Sequence, residues 1–242
     1  MDYREKTAIF DMDGTLFQSE KVVVPAYRRA FRRLKEEGLY QEAIPSDEKI
    51  QSLLGMTQEQ IWSHLLPEAD EKLKKIADRW SLEEELIGLK RGEGRLYPEV
   101  TETLHRLKEE GWRLFIASNG LKPYLDGVLE AFQLTSLFTG VYGAGDYGTE
   151  TKDELVHILM RDHGVTGGVM VGDRSSDVRA GKANGLKVIG CRYPGYTRFG
   201  KEEELKDAEI VVDRFSDILS LLLKKEDDPS RFPSGSDGSG TD

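Results

Sequence analysis

The stretch "AIFDMDGTLFQSE", residues 8–20, places two carboxylates directly after a short apolar run. The segment from Lys6 to Phe10 has the length and apolar content of a short buried strand. Asp11 and Asp13 follow at its end. Ligands of open parallel sheets bind beyond the carboxyl ends of the strands, so this pair predicts a functional site. A plain turn, with the carboxylates accepting backbone N–H groups, is the alternative interpretation.

Strands and helices alternate through the chain after residue 95. The segments "WRLFIAS", "GGVMVGD", "KVIGCR" and "AEIVVD" are typical of strands, and amphipathic helical segments separate them. The connections leave little room for hairpins, which favours a parallel sheet covered by helices on both faces. We therefore predict an α/β fold with a Rossmann-like parallel sheet.

A purely helical segment interrupts this alternation after the first strand. No strand signal occurs between Gln18 and Lys90, and Tyr27, Phe31 and Leu34 recur at the spacing of one helix face. The segment therefore reads as an inserted α-helical cap domain. The predicted organisation is a discontinuous core at 1–17 and 95–225, a cap at 18–94 and a disordered tail at 226–242.

Composition excludes several classes of protein. The 242 residues include 38% hydrophobic ones, enough for a core, and the net charge of −10 leaves no basic footprint for nucleic acid. No segment approaches the length of a membrane span, and we expect no signal peptide. The single cysteine, Cys191, predicts a buried structural thiol rather than a disulfide or metal site. We therefore expect a cytoplasmic protein without membrane or nucleic-acid partners.

Three further polar patches stand where they would meet the first one. Ser118 and Asn119 follow the strand "LFIA", and Asp173 follows "VMVG", with Asp177 four residues later. Lys152 opens the helix after "GTET". The carboxyl ends of parallel strands share one edge of the sheet, so we expect all four patches to converge there.

The chemistry of these groups points to phosphoryl transfer with a metal ion. Each close pair among Asp11, Asp13 and Asp173 would repel by about 1–4 kcal/mol, which one lysine cannot offset. Hard oxygen ligands favour Mg²⁺, which typically takes one or two carboxylates together with phosphate and water. A hydroxyl from Ser118, helix N-terminal amides and Lys152 suit a phosphoryl group. A carboxylate can attack phosphorus, and a second can act as acid and base.

This set of motifs resembles the haloacid dehalogenase superfamily of phosphohydrolases. The four motifs of that superfamily stand here as "AIFDMDGT", "LFIASNG", Lys152 in "TKDEL", and "GDRSSD". The resemblance covers roughly residues 5–220, and the insert corresponds to what the family calls a C1 cap. The chain looks most like the branch that contains phosphoglycolate phosphatase and β-phosphoglucomutase.

The resemblance implies the catalytic roles. Asp11 would be the nucleophile that forms an aspartyl-phosphate, and Asp13 would protonate the leaving group and then activate water. Lys152 would pair with Asp11 and the phosphoryl group, and Thr15 would brace the loop. Ser118, with the backbone amide after it, would bind a phosphoryl oxygen.

The resemblance also implies the metal site and leaves some residues open. Mg²⁺ would be held by Asp11, the Asp13 carbonyl and Asp173, with Asp177 supporting the metal. Asn119 could contact substrate or cap a helix. The role of Gln18 is also open, because many relatives carry aspartate at this position. Arg174 could reach phosphate but is expected to pair with a surface acid. The role of the cap loop Gly55–Thr57 is open as well.

The leading function is a Mg²⁺-dependent phosphatase of a small phosphorylated metabolite. A phosphosugar mutase is the first alternative, and isomerised glucose 1-phosphate without free phosphate would favour it. A non-catalytic binding protein is the second alternative, although the intact acidic and lysine motifs argue against it. Dehalogenase chemistry needs neither Asp13 nor a metal cluster, which disfavours it.

The second connection between core and cap reads "RGEGR". Gly92 and Gly94 can absorb backbone changes that other residues resist, so we expect a hinge there. A glycine that ends the last cap helix is the alternative for Gly92.

Overall fold

The computed structural model of the protein describes residues 5–223. The tail predicted at 226–242 lies outside these residues. The strands are β1 (Thr7–Phe10), β2 (Arg113–Ser118), β3 (Phe138–Gly143), β4 (Val169–Gly172), β5 (Lys187–Cys191) and β6 (Ile210–Val212). The helices are α1 (Glu20–Glu36), α2 (Asp47–Gln51), α3 (Gln58–Leu65), α4 (Glu71–Lys90), α5 (Val100–Glu109), α6 (Lys122–Ala131), α7 (Ala144–Tyr147), α8 (Lys152–His163), α9 (Ser175–Ala183) and α10 (Asp217–Leu222).

The strands form one parallel sheet in the order β3-β2-β1-β4-β5-β6. β1 lies inside the sheet, where Phe10 pairs with Ile116 of β2 and with Val171 of β4. This arrangement confirms the predicted α/β fold with a parallel sheet. The apolar run Phe138–Gly143 is a complete edge strand, only partly buried, which explains its weak sequence signal.

Side chains alternate between two packed layers on the faces of the sheet. Ala8 and Phe10 contribute to one apolar cluster, and Ile9 between them contributes to the other. Helices α5, α6 and α10 pack on the first face, whereas α8 and α9 pack on the second. Cys191, at the end of β5, is buried, as predicted. The covered faces leave the strand ends as the place for polar groups.

Residues 20–90 contain four helices and no strand, in agreement with the sequence pattern. Their apolar residues share a cluster with the first face of the sheet. Tyr27 of α1 stacks on Trp62 of α3 with ring centroids 5.0 Å apart. Arg29 joins α1 to α4 through an ion pair of 2.7 Å with Glu84. We call α1–α4 the helical insert; its exact domain boundaries stay a prediction.

None of the helices within residues 5–223 combines the length and the apolar character needed to cross a membrane. The longest, α4, spans twenty residues, and charged side chains recur along it. Its buried residues lie on one side, which contributes to the insert.

Local structure explains why glycine stands at two positions of the "RGEGR" connection, without reference to a hinge. Gly92 has φ +74° and follows α4, and its N–H donates to the Leu89 carbonyl at 2.9 Å. Gly94 lies against a ring, because a Cβ there would meet Cζ of Phe17 at 2.7 Å. Close packing therefore accounts for the second glycine in this conformation, and the hinge role stays a prediction.

Replacing Gly94 with alanine should lower the free energy of unfolding by about 1–3 kcal/mol, because the methyl group overpacks the Phe17 contact. Urea denaturation measures this change. Gly167→Ala is the matched control, since a Cβ at Gly167 meets nothing within 4 Å. The control should be neutral or stabilising by up to about 1 kcal/mol. Equal effects in the two variants would contradict the packing explanation.

Candidate active site

The carboxyl ends of β1, β2 and β4 form one edge, and the predicted site residues gather there. Asp11 continues β1, and its backbone N–H donates to the Val171 carbonyl of β4 at 2.9 Å. Its side chain is buried, with 3% of the residue exposed. Ser118 ends β2 on the other side of β1, and Asp173 follows β4. The strand order thus brings together residues more than a hundred positions apart.

Lys152 is the cation that links the buried carboxylates. Its Nζ lies 2.8 Å from Oδ1 of Asp11 and 2.6 Å from Oδ1 of Asp177. Helix α8 begins at this lysine, and Thr151 caps the helix by accepting the Glu154 N–H. Burial acts to lower the pKa of Lys152, but Asp11 and Asp177 outweigh it and leave the pKa raised. Lys152 therefore stays charged at this edge.

Asp13 turns away from this ion pair and toward α6. Its Oδ1 accepts a hydrogen bond of 2.7 Å from the Tyr124 hydroxyl. Burial raises the pKa of Asp13 to about 6, against a smaller lowering effect of that hydrogen bond. Tyr124 is not among the site residues predicted from the sequence, since a tyrosine within a helix carries no signal for contact with a residue 111 positions away.

The loop after Asp13 needs glycine for two reasons. Gly14 has φ +83°, and a Cβ there would lie 2.6 Å from Cγ of Asp173. Thr15 braces the same loop, since its Oγ1 donates to Oδ1 of Asp173 at 3.4 Å and its carbonyl accepts the Tyr193 hydroxyl at 2.9 Å. The "DGT" sequence thus lets β1 and β4 present their carboxylates side by side.

The acidic group fits a small divalent cation. Single oxygens of Asp11, Asp173 and Asp177 lie within 4.8 Å of one another. Burial and then the charges of Asp11 and Asp177 raise the pKa of Asp173 well above its usual range, and a bound cation would favour its ionised form. Both oxygens of Asp177 already accept, from Lys152 and from the Arg174 N–H at 2.9 Å. Asp177 is therefore better placed to support Asp11 and Lys152 than to bind metal directly.

Ser118 and Asn119 occupy different positions at the end of β2. Ser118 is buried, and its Oγ accepts the Gly120 N–H at 3.2 Å. The Asn119 amide donates to the Gly55 carbonyl of the helical insert at 2.9 Å. Asn119 does not cap helix α6, because Leu121 is the N-cap of that helix. Contact of Asn119 with substrate stays a prediction.

Arg174 also connects the core to the insert. Its Nη1 donates to the Leu54 carbonyl at 2.7 Å, and its Nε donates to Glu204 at 2.8 Å. The expected pairing with an acid is present, but the side chain is largely buried and holds the insert as well. Gly55, with φ +88°, leaves room for Arg174, since a Cβ there would meet Nη1 at 2.6 Å. The loop Gly55–Thr57 is thus fixed over the strand ends.

The insert and the strand ends enclose a cavity. The space that water-sized molecules can occupy in it is about 30 Å³, within about 450 Å³ of non-atom space that includes open solvent. The core lines it with the polar residues of the site, and the insert lines it with apolar, aromatic and acidic side chains. The lining includes Asp11, Asp13, Ser118, Asn119, Tyr124 and Lys152 from the core and Tyr27, Met56, Gln58, Ile61 and Glu85 from the insert.

The pattern of the family described as "Haloacid dehalogenase-like hydrolase" matches residues 8–191. The chain belongs to this family. The match therefore covers β1 from its second residue through the end of β5, and it includes Asp11, Asp13, Ser118, Lys152, Asp173 and Asp177. As a haloacid dehalogenase-like hydrolase, the protein is an enzyme whose acidic edge and lysine are its catalytic candidates.

Individual relatives agree with this membership. The chain is 34% identical to a phosphoglycolate phosphatase of Aliivibrio fischeri, over 52% of this chain and 56% of that one. It is 29% identical to the protein named "Probable phosphatase IndB" of Dickeya dadantii, over 93% and 97% of the two chains. The structure resembles that of CbbY from Rhodobacter sphaeroides in complex with phosphate, with a TM-score of 0.75, 21% identity, and 88% and 96% coverage. That last likeness supports the shared fold.

The raised pKa of Asp13 predicts a pH-dependent effect of Asp13→Asn on stability. The folded pKa is about 6 against an ordinary value of 3.8. Below about pH 4 the Asp13 carboxyl is protonated in both the folded and the unfolded chain. Between about pH 4 and pH 6 it ionises in the unfolded chain first, which lowers the free energy of unfolding as the pH rises. In metal-free buffer, the free energy of unfolding of the variant should therefore equal that of wild type near pH 4. Near pH 7.5 it should exceed the wild-type value by about 1–3 kcal/mol. Urea denaturation across this range tests it, and a pH-independent difference would contradict the assignment.

Proposed function

We propose that this protein is a Mg²⁺-dependent phosphatase that hydrolyses a small phosphomonoester through an aspartyl-phosphate on Asp11. The observation that carries this proposal is the buried group in which Lys152 contacts Asp11 at 2.8 Å beside Asp173. The names of the relatives as phosphatases support the same reaction type. Residues 18–94 act as a cap over the site in this proposal.

In the first step, a carboxylate oxygen of Asp11 attacks phosphorus and the bond to the leaving oxygen breaks. Lys152 orients Asp11 and offsets the charge of the phosphoryl oxygens. Ser118 has its hydroxyl at the same strand edge, where it can donate to a phosphoryl oxygen. Asp13 gives its proton to the leaving oxygen, so that a neutral alcohol departs.

In the second step, Asp13 removes a proton from water. The water oxygen bonds to phosphorus, the bond between phosphorus and Asp11 breaks, and inorganic phosphate leaves. Asp13 suits both steps, because a pKa of about 6 lets it exchange a proton near neutral pH. Tyr124, which donates to Oδ1 of Asp13, fixes the carboxyl in position.

Asp11 and Asp173, with the Asp13 carbonyl, would hold Mg²⁺, and Asp177 would support them. When bound, the cation neutralises charge on the carboxylates and the phosphoryl oxygens. The small cavity under the insert favours a metabolite as substrate rather than a macromolecule.

Asp11→Asn should reduce phosphate release from p-nitrophenyl phosphate to below about a hundredth of wild type, because the amide cannot form the acyl-phosphate. Asp207→Asn removes an exposed carboxylate and serves as the matched control with unchanged activity. Melting temperatures verify that both variants fold. A folded Asp11→Asn protein that retains more than about a hundredth of the activity would overturn the covalent mechanism.

Adding Mg²⁺ to the chelator-treated protein should restore activity and raise the melting temperature by about 5–10 °C at roughly a hundred times Kd. Asp173→Asn should lose this thermal shift, whereas the control Asp207→Asn should retain it. Calcium should restore activity poorly, since it prefers more ligands at longer distances. Full activity in excess chelator, or an equal thermal shift in Asp173→Asn, would contradict the metal assignment.

A further inference from the structure

Glu85 of the helical insert is buried without a partner at the candidate active site. Only 2% of the residue is exposed, and it lines the cavity that holds Asp11 and Asp13. None of the hydrogen bonds or ion pairs between residues 5–223 involves its carboxyl group. The adjacent acids of α4 differ: Glu83 pairs with Arg33 and Glu84 with Arg29, each at 2.7 Å.

An unpaired buried carboxyl destabilises the folded chain on its own. Removal of a carboxyl from water costs several kcal/mol unless a partner compensates it. Burial, followed by the charges of Asp13 and Asp78, raises the pKa of Glu85 well above its usual range. No group within residues 5–223 donates a hydrogen bond to this carboxyl, so its partner is to be sought among molecules that enter the cavity.

The polar groups near Glu85 define what such a molecule must carry. The Tyr27 hydroxyl donates its proton to Gln58 at 2.7 Å, and the Tyr124 hydroxyl donates to Asp13. Both hydroxyl oxygens are thereby left as acceptors, like the ionised form of Glu85. Among the described residues lining this cavity, the one cationic side chain is Lys152, which Asp11 and Asp177 already hold. Among the described residues of the insert that line the cavity, none therefore offers a cation to a second negative group of a substrate.

We infer that Glu85 binds a hydrogen-bond donor, a hydroxyl or an ammonium group, on the leaving alcohol of the phosphomonoester. In its ionised form, which a bound donor favours, the same carboxyl selects against substrates with a second anionic group. This inference rests on the proposed phosphatase function and adds the substrate class. It separates the chain from the activity in the name of its phosphoglycolate phosphatase relative, because the carboxylate of phosphoglycolate would face Glu85 without a cation.

Four small substrates of similar size test this selectivity through kcat/KM for phosphate release. Glycerol 1-phosphate carries hydroxyls, phosphoethanolamine an ammonium group, phosphoglycolate a carboxylate, and propyl phosphate none of these. The preferred donor-bearing substrate should exceed propyl phosphate by about tenfold or more, and phosphoglycolate should be the poorest. Phosphoglycolate as the best of the four would overturn the inference.

Two variants of Glu85 distinguish the two donor groups. Glu85→Gln keeps an acceptor but removes the charge, whereas Glu85→Leu removes both. If the group is ammonium, both variants should abolish the roughly tenfold preference. If it is hydroxyl, only Glu85→Leu should abolish it. In either case phosphoglycolate should gain relative to propyl phosphate, and an unchanged order of substrates in both variants would overturn the inference.

The control is Glu83→Gln, which changes an acid two residues earlier on α4 that does not line the cavity and that pairs with Arg33 at the surface. It should leave all four kcat/KM values unchanged. Glu85→Leu should keep or raise the melting temperature, because it removes an unpaired buried carboxyl; a marked fall would indicate a structural role and contradict the inference. Hydrolysis of p-nitrophenyl phosphate by wild type tests the phosphatase function separately. If wild type releases phosphate from none of these compounds, the proposed function itself fails, and the substrate inference with it.

Discussion

The contact between Lys152 and two buried carboxylates is the interaction on which the active-site edge depends. Its Nζ lies 2.8 Å from Asp11 and 2.6 Å from Asp177, where bulk water cannot screen the charges. Without this cation, the buried carboxylates of Asp11 and Asp177 would repel each other with little screening by water. The lysine also orients Asp11, the proposed nucleophile. The Lys152 side chain thus both reduces the repulsion between the buried carboxylates and orients the proposed nucleophile.

Backbone geometry determines how closely the acids can approach. β1 lies between β2 and β4, so their carboxyl ends share one edge. Gly14 and Gly172 then remove the Cβ atoms that would overlap the carboxyl groups of Asp173 and Asp177. The site therefore depends on the absence of a Cβ at two glycines and on the order of the strands. Neither feature alone would bring the carboxylate oxygens within range of one cation.

The helical insert adds contacts of a different kind. The Leu54 carbonyl accepts from Arg174, and the Gly55 carbonyl accepts from Asn119. These bonds hold the insert loop by its backbone, so its side chains and those of α4 can face the cavity. In the proposed function, the core supplies the reaction and the insert supplies the selection of the leaving group. Glu85 is the clearest sign of that division, since its burial is unfavourable until a ligand donor meets it.

The sequence by itself determined the alternation of strands and helices, the all-helical character of the insert, and the convergence of Asp11, Ser118, Lys152 and Asp173. These features follow from local periodicity and from the rule that parallel strands share an edge. Only the tertiary structure decided the partners Tyr124 for Asp13, Phe17 for Gly94 and Leu54 for Arg174. In "SLEEEL", three consecutive acids are indistinguishable as letters, and the packing of α4 against α1 turns only Glu85 inward. The physical reason is that periodicity shows which residues share a helix face, whereas what that face meets depends on residues distant in the chain.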